Sequence, residues 1–228
     1  MSTLFLSRVR LRRDVPAVAL ARLLVPETPA ERAAASHRLI WALFTDHDKR
    51  ERDFLWREEG PGRFMALSRR PPVNLDDLFE LEFKPFAPVL AAGDRLGFTL
   101  RANPVVARPE APGQRGKRHD VVMDLLHQVP TGERASYRPQ AVLEAGRAWF
   151  ARQGDAHGFV PLAPAAVDGY DQLKIPRRDG KHAHFGVLDI SGVLEVRDPP
   201  RFLEQLSRGF GRARAYGCGL MLVRRVRS

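Results

Sequence analysis

The chain has 228 residues, 44% of them hydrophobic, which is enough for one large or two small domains with real cores. Lys and Arg number 37 against 27 Asp and Glu, a formal net charge of +10, and Arg outnumbers Lys by 32 to 5, so nucleic acid is the first partner to consider beside the plainer reading of a solubilising charge. One cysteine, Cys218, excludes a disulfide framework and a multi-cysteine zinc site; no apolar run approaches the ~18 residues of a membrane span, and charges interrupt the N-terminal apolar stretch, so a cytoplasmic protein with no membrane contact is expected.

In chain order, residues 3 to 12 read as a strand in which Arg8, Arg10 and Arg12 alternate with Val9 and Leu11. Thr28-Pro29-Ala30-Glu31 is a capping box with Pro at the first helical position, predicting a helix from Pro29 to Phe44 with Ala33, Ile40, Trp41, Leu43 and Phe44 as its apolar stripe. Two runs, 53 to 57 and 63 to 68, flank the Gly60-Pro61-Gly62 turn as a hairpin. Val73 to Leu78 is read as a short helix, and Glu80 to Pro85 and Arg95 to Val106 as extended. Ala107 to Arg118, rich in Pro, Gly and cations, reads as a linker or flexible loop. Beyond it come a helix through Val142, Trp149 and Phe150, a hairpin around Asp179-Gly180, a helix opened by Asp198-Pro199-Pro200, and a final strand at 220 to 223. The predicted architecture is α+β, two tandem ferredoxin-like (βαββαβ) domains: residues 1–107, a linker at 108–118, and residues 119–228.

Between the last helix and strand lies Gly209-Phe210-Gly211-Arg212-Ala213-Arg214-Ala215-Tyr216-Gly217-Cys218-Gly219. Gly209, Gly211, Gly217 and Gly219 permit positive φ and close approach of a polyanion to backbone amides, with Arg212 and Arg214 between them. The order helix, glycines, strand is the reverse of a dinucleotide-binding fingerprint, which argues against a nucleotide-dependent transferase. His37, on the shoulder of the first helix beside Arg38, is read either as a half-buried structural histidine or as a general acid or base. Lys174, Arg177, Arg178, Lys181, His182 and His184 surround the Asp179-Gly180 turn, either a solvated hairpin or one that contacts RNA or DNA. No ligand set accompanies His182-Ala183-His184, so no metal and no cofactor are expected.

Several segments together resemble the CasE family, the precursor-RNA endoribonucleases of the type I-E CRISPR system. They are Leu4-Phe5-Leu6-Ser7-Arg8-Val9, His37-Arg38-Leu39-Ile40-Trp41-Ala42-Leu43-Phe44, Glu51-Arg52-Asp53-Phe54-Leu55-Trp56-Arg57, Phe98-Thr99-Leu100-Arg101-Ala102-Asn103-Pro104, the run from Phe185 to Leu194, and the glycine segment through Leu222. The resemblance implies the tandem ferredoxin-like fold and cleavage of a CRISPR repeat hairpin at the 3′ base of its stem. It also implies a place among the subunits of Cascade, monomeric in isolation, and a catalytic role for His37 with Arg38. The RNA itself would be held by Lys174, Arg177, Arg178, Lys181, His182, Arg212 and Arg214. Some family members carry a tyrosine and a lysine where this chain has Ala34 and Ala42, which leaves Tyr137 and Tyr170 as candidates for the phenol. A non-cutting RNA-binding subunit on the same scaffold is the alternative reading.

Overall fold

The computed structural model describes residues 3–12, 28–44, 52–73, 77–109, 116–176 and 182–226. Strand β1 (Leu4–Leu11) is followed by helix α1 (Pro29–Ala42) and strands β2 (Phe54–Gly60), β3 (Arg63–Ser68) and β4 (Phe79–Phe86). The four strands form one antiparallel sheet in the order β2-β3-β1-β4. Alternation on β1 is as the sequence predicts, with Val9 buried and Arg8 and Arg10 exposed. Helix α1 begins where Thr28 Oγ1 accepts the Glu31 amide at 3.4 Å and donates to the Glu31 carboxylate at 2.5 Å, with Pro29 in the first turn. Its Leu39 and Ile40, with Leu43 and Phe44 just past its end, close the first core over Val9, Phe54, Trp56 and Phe64. The short helix expected at Val73 to Leu78 is not seen among the described residues of that stretch: residues 77 and 78 are turn and coil, Asp77 has φ 54°, and residues 74–76 lie outside the described residues.

Continuing, the chain forms β5 (Arg95–Ala102), β6 (Val105–Arg108), β7 (Lys117–Asp120), α2 (Val121–His127), a 3₁₀ turn (Thr131–Glu133) and the long α3 (Arg134–His157). Then come β8 (Phe159–Pro161), β9 (Ala166–Pro176), β10 (His182–Val196), α4 (Pro199–Arg208), a second 3₁₀ turn (Arg214–Tyr216) and β11 (Met221–Arg225). The second sheet runs β11-β5-β10, and β10 carries β9 and the short β8 on its other edge. Its core gathers Phe98, Leu100, Trp149, Phe150, Leu188, Phe202 and Phe210.

The partition of strands departs from the expected division at residue 107. Strand β5, expected to end the first half, hydrogen-bonds along its whole length to β10 and β11. The expected linker at 108–118 opens and closes as a ladder, Ala107 opposite Arg118 and Arg108 opposite Lys117, with residues 110–115 outside the described ones. Both sheets place the last strand of a unit beside its first, the order a βαββαβ path generates. Leu55 and Leu67 of the first sheet pack on Leu220 of the second half, so the sheet is covered on both faces.

Candidate functional site

The first helix meets the second half along its other side. Ala33 and Ala34 pack on Leu173 and Ile175 of β9, Val187 of β10 and Cys218 of the glycine segment. Small residues there let the helix approach the strand closely, and the approach brings His37 against the 3₁₀ turn. The imidazole lies between Trp41 and Tyr216, with ring centroids 5.7 and 5.6 Å away. It is half-buried, and its pKa is lowered from 6.5, first by burial and then by the guanidinium groups of Arg52 and Arg38, while the Ala215 carbonyl draws it the other way. Neutral imidazole is therefore the resting form at pH 7. Among the described residues its buried Nδ1 has no hydrogen-bond partner.

Cations crowd around this ring. Arg52 is held below the ordinary guanidinium range by burial and by Arg214, and Arg214 in turn by burial, Arg212 and Arg208. Like charges held this close, partly out of water, make the region strongly attractive to an anion. Arg38, the next residue on the helix, is exposed and points its charge to the same region.

The glycine segment builds the far wall, and its glycines serve packing inside the chain. Gly209 and Gly219 have φ of 79° and 96°, and a Cβ on them would stand 2.8 Å from Leu55 Cδ1 and the Phe210 carbonyl respectively. Gly217 lies against the Trp56 ring, and Gly211 against the Asn103 carbonyl. The amides of Phe210, Arg212 and Gly219 donate to Gly219, Asn103 and Arg101 carbonyls. What the segment offers to a ligand is thus its side chains, Arg212, Arg214 and Tyr216, rather than a cradle of those three amides.

Lys174 and His184 stand opposite each other across the β9–β10 ladder, both exposed; His182 is exposed, 6.2 Å from His184 between ring centroids. Their hairpin rests through Leu173 and Ile175 on the helix that carries His37. Arg177, Arg178 and Lys181 lie outside the described residues. The phenol candidates are placed elsewhere: Tyr137 donates to Glu144 at 2.7 Å and Tyr170 to Asp120 at 2.9 Å. Sequence reasoning missed Tyr216, the phenol beside His37, and Arg52; a Gly-framed segment with an aromatic residue and the Glu51-Arg52-Asp53 run were the available signals.

A family model described as CRISPR associated protein matches residues 4–225. The chain is 24% identical over 190 residues to the CRISPR system Cascade subunit CasE of Escherichia coli K12, covering 81% of this chain and 88% of that protein. To the CRISPR-associated endoribonuclease Cse3 of Thermus thermophilus it is 31% identical over 140 residues, 61% of this chain and 60% of the relative. A Thermus thermophilus Cse3 structure, bound to an RNA representing a pre-cleavage complex, superposes with a TM-score of 0.66 at 27% identity over 97% of this chain and 99% of that one. The chain belongs to the CRISPR-associated proteins, in the CasE family of type I-E. Among the described residues, no helix is long and apolar enough to cross a membrane.

Proposed function

We propose that this protein is a metal-independent endoribonuclease that binds the stem-loop of a CRISPR repeat and cuts precursor RNA once, at the 3′ base of the stem. The observation that carries this reading is a neutral, half-buried His37 set among arginines where the first helix meets the second half of the chain. Ribose supplies its own nucleophile: the 2′-hydroxyl loses its proton and attacks the adjacent phosphorus, the bond to the 5′-oxygen breaks, and that oxygen takes up a proton. A 2′,3′-cyclic phosphate and a 5′-hydroxyl result, so the reaction needs proton transfer and charge stabilisation only. Neutral imidazole is suited to accept the 2′-hydroxyl proton, which favours His37 as base. Arg52 and Arg214 neutralise the phosphorane in this scheme, with Arg38 at the rim, and Tyr216 supplies the phenol in place of a residue at Ala34.

Lys174, His182 and Arg212, with Arg177, Arg178 and Lys181 of the turn, are proposed to hold the RNA backbone. The likeness to a Cascade subunit extends the proposal to assembly in Cascade and a cytoplasmic site of action, with a monomer before assembly. Purified protein is expected to cut a repeat hairpin in EDTA, to lose cutting but keep binding on His37→Ala, and to spare a substrate with 2′-deoxyribose at the cut. Undiminished cutting by the alanine variant would refute the mechanism, and binding with no cutting by the wild type would favour the non-catalytic alternative.

A further inference from the structure

Tyr216 has a second side. Besides its contact with His37 it stacks on Phe185, ring centroids 5.5 Å apart and planes at 27°, and both rings line an open cavity of about 430 Å³. That volume lies within the ~300–1,000 Å³ of small-ligand sites. Arg118 of β7 and Arg212 of the glycine segment stand at its wall, both exposed, with Asn103 and Asp120 beside them. Asn103 is spoken for: its Nδ2 donates to the Gly186 carbonyl at 2.7 Å and its own carbonyl accepts the Arg212 amide at 3.1 Å. Asp120 Oδ1 likewise accepts from Val122 and Met123 amides and from Tyr170, while Oδ2 is buried and has no hydrogen-bond partner among the described residues.

We infer that this cavity receives the base of an unpaired nucleotide adjoining the scissile phosphate, stacked on the Phe185–Tyr216 pair, with Arg118 and Arg212 on its phosphates; this rests on the cleavage proposed at His37. Two exposed guanidinium groups over an aromatic floor match a nucleotide in both its parts, the anion and the π-face. The Tyr216 ring touches both compartments, so a base in the cavity lies one ring's width from His37. A nucleotide drawn out of the stack there would leave the phosphate next to it extended across the imidazole, with the 2′-hydroxyl free to reach the in-line position.

The test uses the repeat hairpin with an abasic ribose placed in turn on each side of the cut. Affinity is measured on the non-cutting His37→Ala protein, with and without Phe185→Leu, which keeps an apolar side chain against Leu173 and Cys218 but removes the π-face. One of the two abasic substitutions is expected to weaken binding about tenfold, the scale of a single base–aromatic stack, and Phe185→Leu should then add no further loss. If neither abasic RNA binds more weakly, or if the two losses add in full, the cavity is not a base site. That measurement needs no cutting, so it stands apart from the fate of the nuclease proposal, which falls only if the wild type leaves the intact hairpin whole. Should Phe185→Leu fail to fold, the abasic pair alone decides, because it alters the RNA and not the protein.

Discussion

At the scale of single residues, the proposed site turns on a histidine kept neutral. Burial and two nearby guanidinium groups lower the His37 pKa from 6.5, so the folded protein takes up that proton at lower pH than the unfolded chain does. The stability tied to the neutral ring is complete above pH 6.5 and is lost as pH falls through the folded value. For a general base the rate follows the same form. Single-turnover cleavage is expected to be level from neutral pH upward and to fall on acidification below 6.5, and Arg52→Ala should move that acid limb to higher pH by removing a positive neighbour. A limb that stays in place would take Arg52 out of the electrostatics of the ring. Cys218 makes a contrasting case: fully buried, its thiol is pushed up to about 12, first by desolvation. Thiol reagents are expected to label it only under denaturing conditions, and rapid labelling of the native protein would contradict its burial.

The place of His37 on its helix was legible because a helix carries its own signals: cap, proline and apolar stripe fixed its face within one turn. Tyr216 was not, because its partner lies in another element, far along the chain. Local pattern reports which side of an element is apolar, never which distant side chain will meet it.

At the scale of elements, the glycine segment was recognised from sequence, yet its glycines answer to packing more than to a ligand. Gly219→Ala puts a Cβ against the Phe210 carbonyl at φ 96°, where backbone has no room to yield, and is expected to cost about 1–3 kcal/mol in chemical denaturation. Gly169→Ala, at φ 67° but with open space around it, should cost about 1 kcal/mol from backbone strain alone. Equal losses at the two positions would mean that the close approach to Phe210 adds nothing. Helix α1 depends on its start in a similar way. Thr28→Ala removes the acceptor for the Glu31 amide and is expected to cost about 0.5–2 kcal/mol, read from the denaturation midpoint.

At the scale of the whole molecule, most elements followed from periodicity and turn residues, whereas the partition into sheets did not. Alternation in Arg95–Ala102 marks a strand with one buried face, and that holds equally for either sheet. Which neighbour it takes is settled by the cores as they assemble, here Leu100 and Ala102 in the second one. The surplus of positive charge is a property at this scale too. Affinity for the repeat hairpin should fall linearly with salt on logarithmic axes, and removing a cation proposed to contact phosphate, such as Arg212 or Lys174, should lower the slope by ~0.7–0.9. An unchanged slope would show that the residue faces solvent rather than RNA.

The carbonyl of Ala215 accepts the Trp56 indole N–H at 3.3 Å, a bond between residues 159 apart in the chain. That tie, with the His37–Tyr216 contact beside it, makes the candidate site a joint venture of two separately buried hydrophobic interiors. During synthesis a ribosome would release the imidazole long before the wall that completes its surroundings, so the proposed centre comes together only once both interiors have formed and docked.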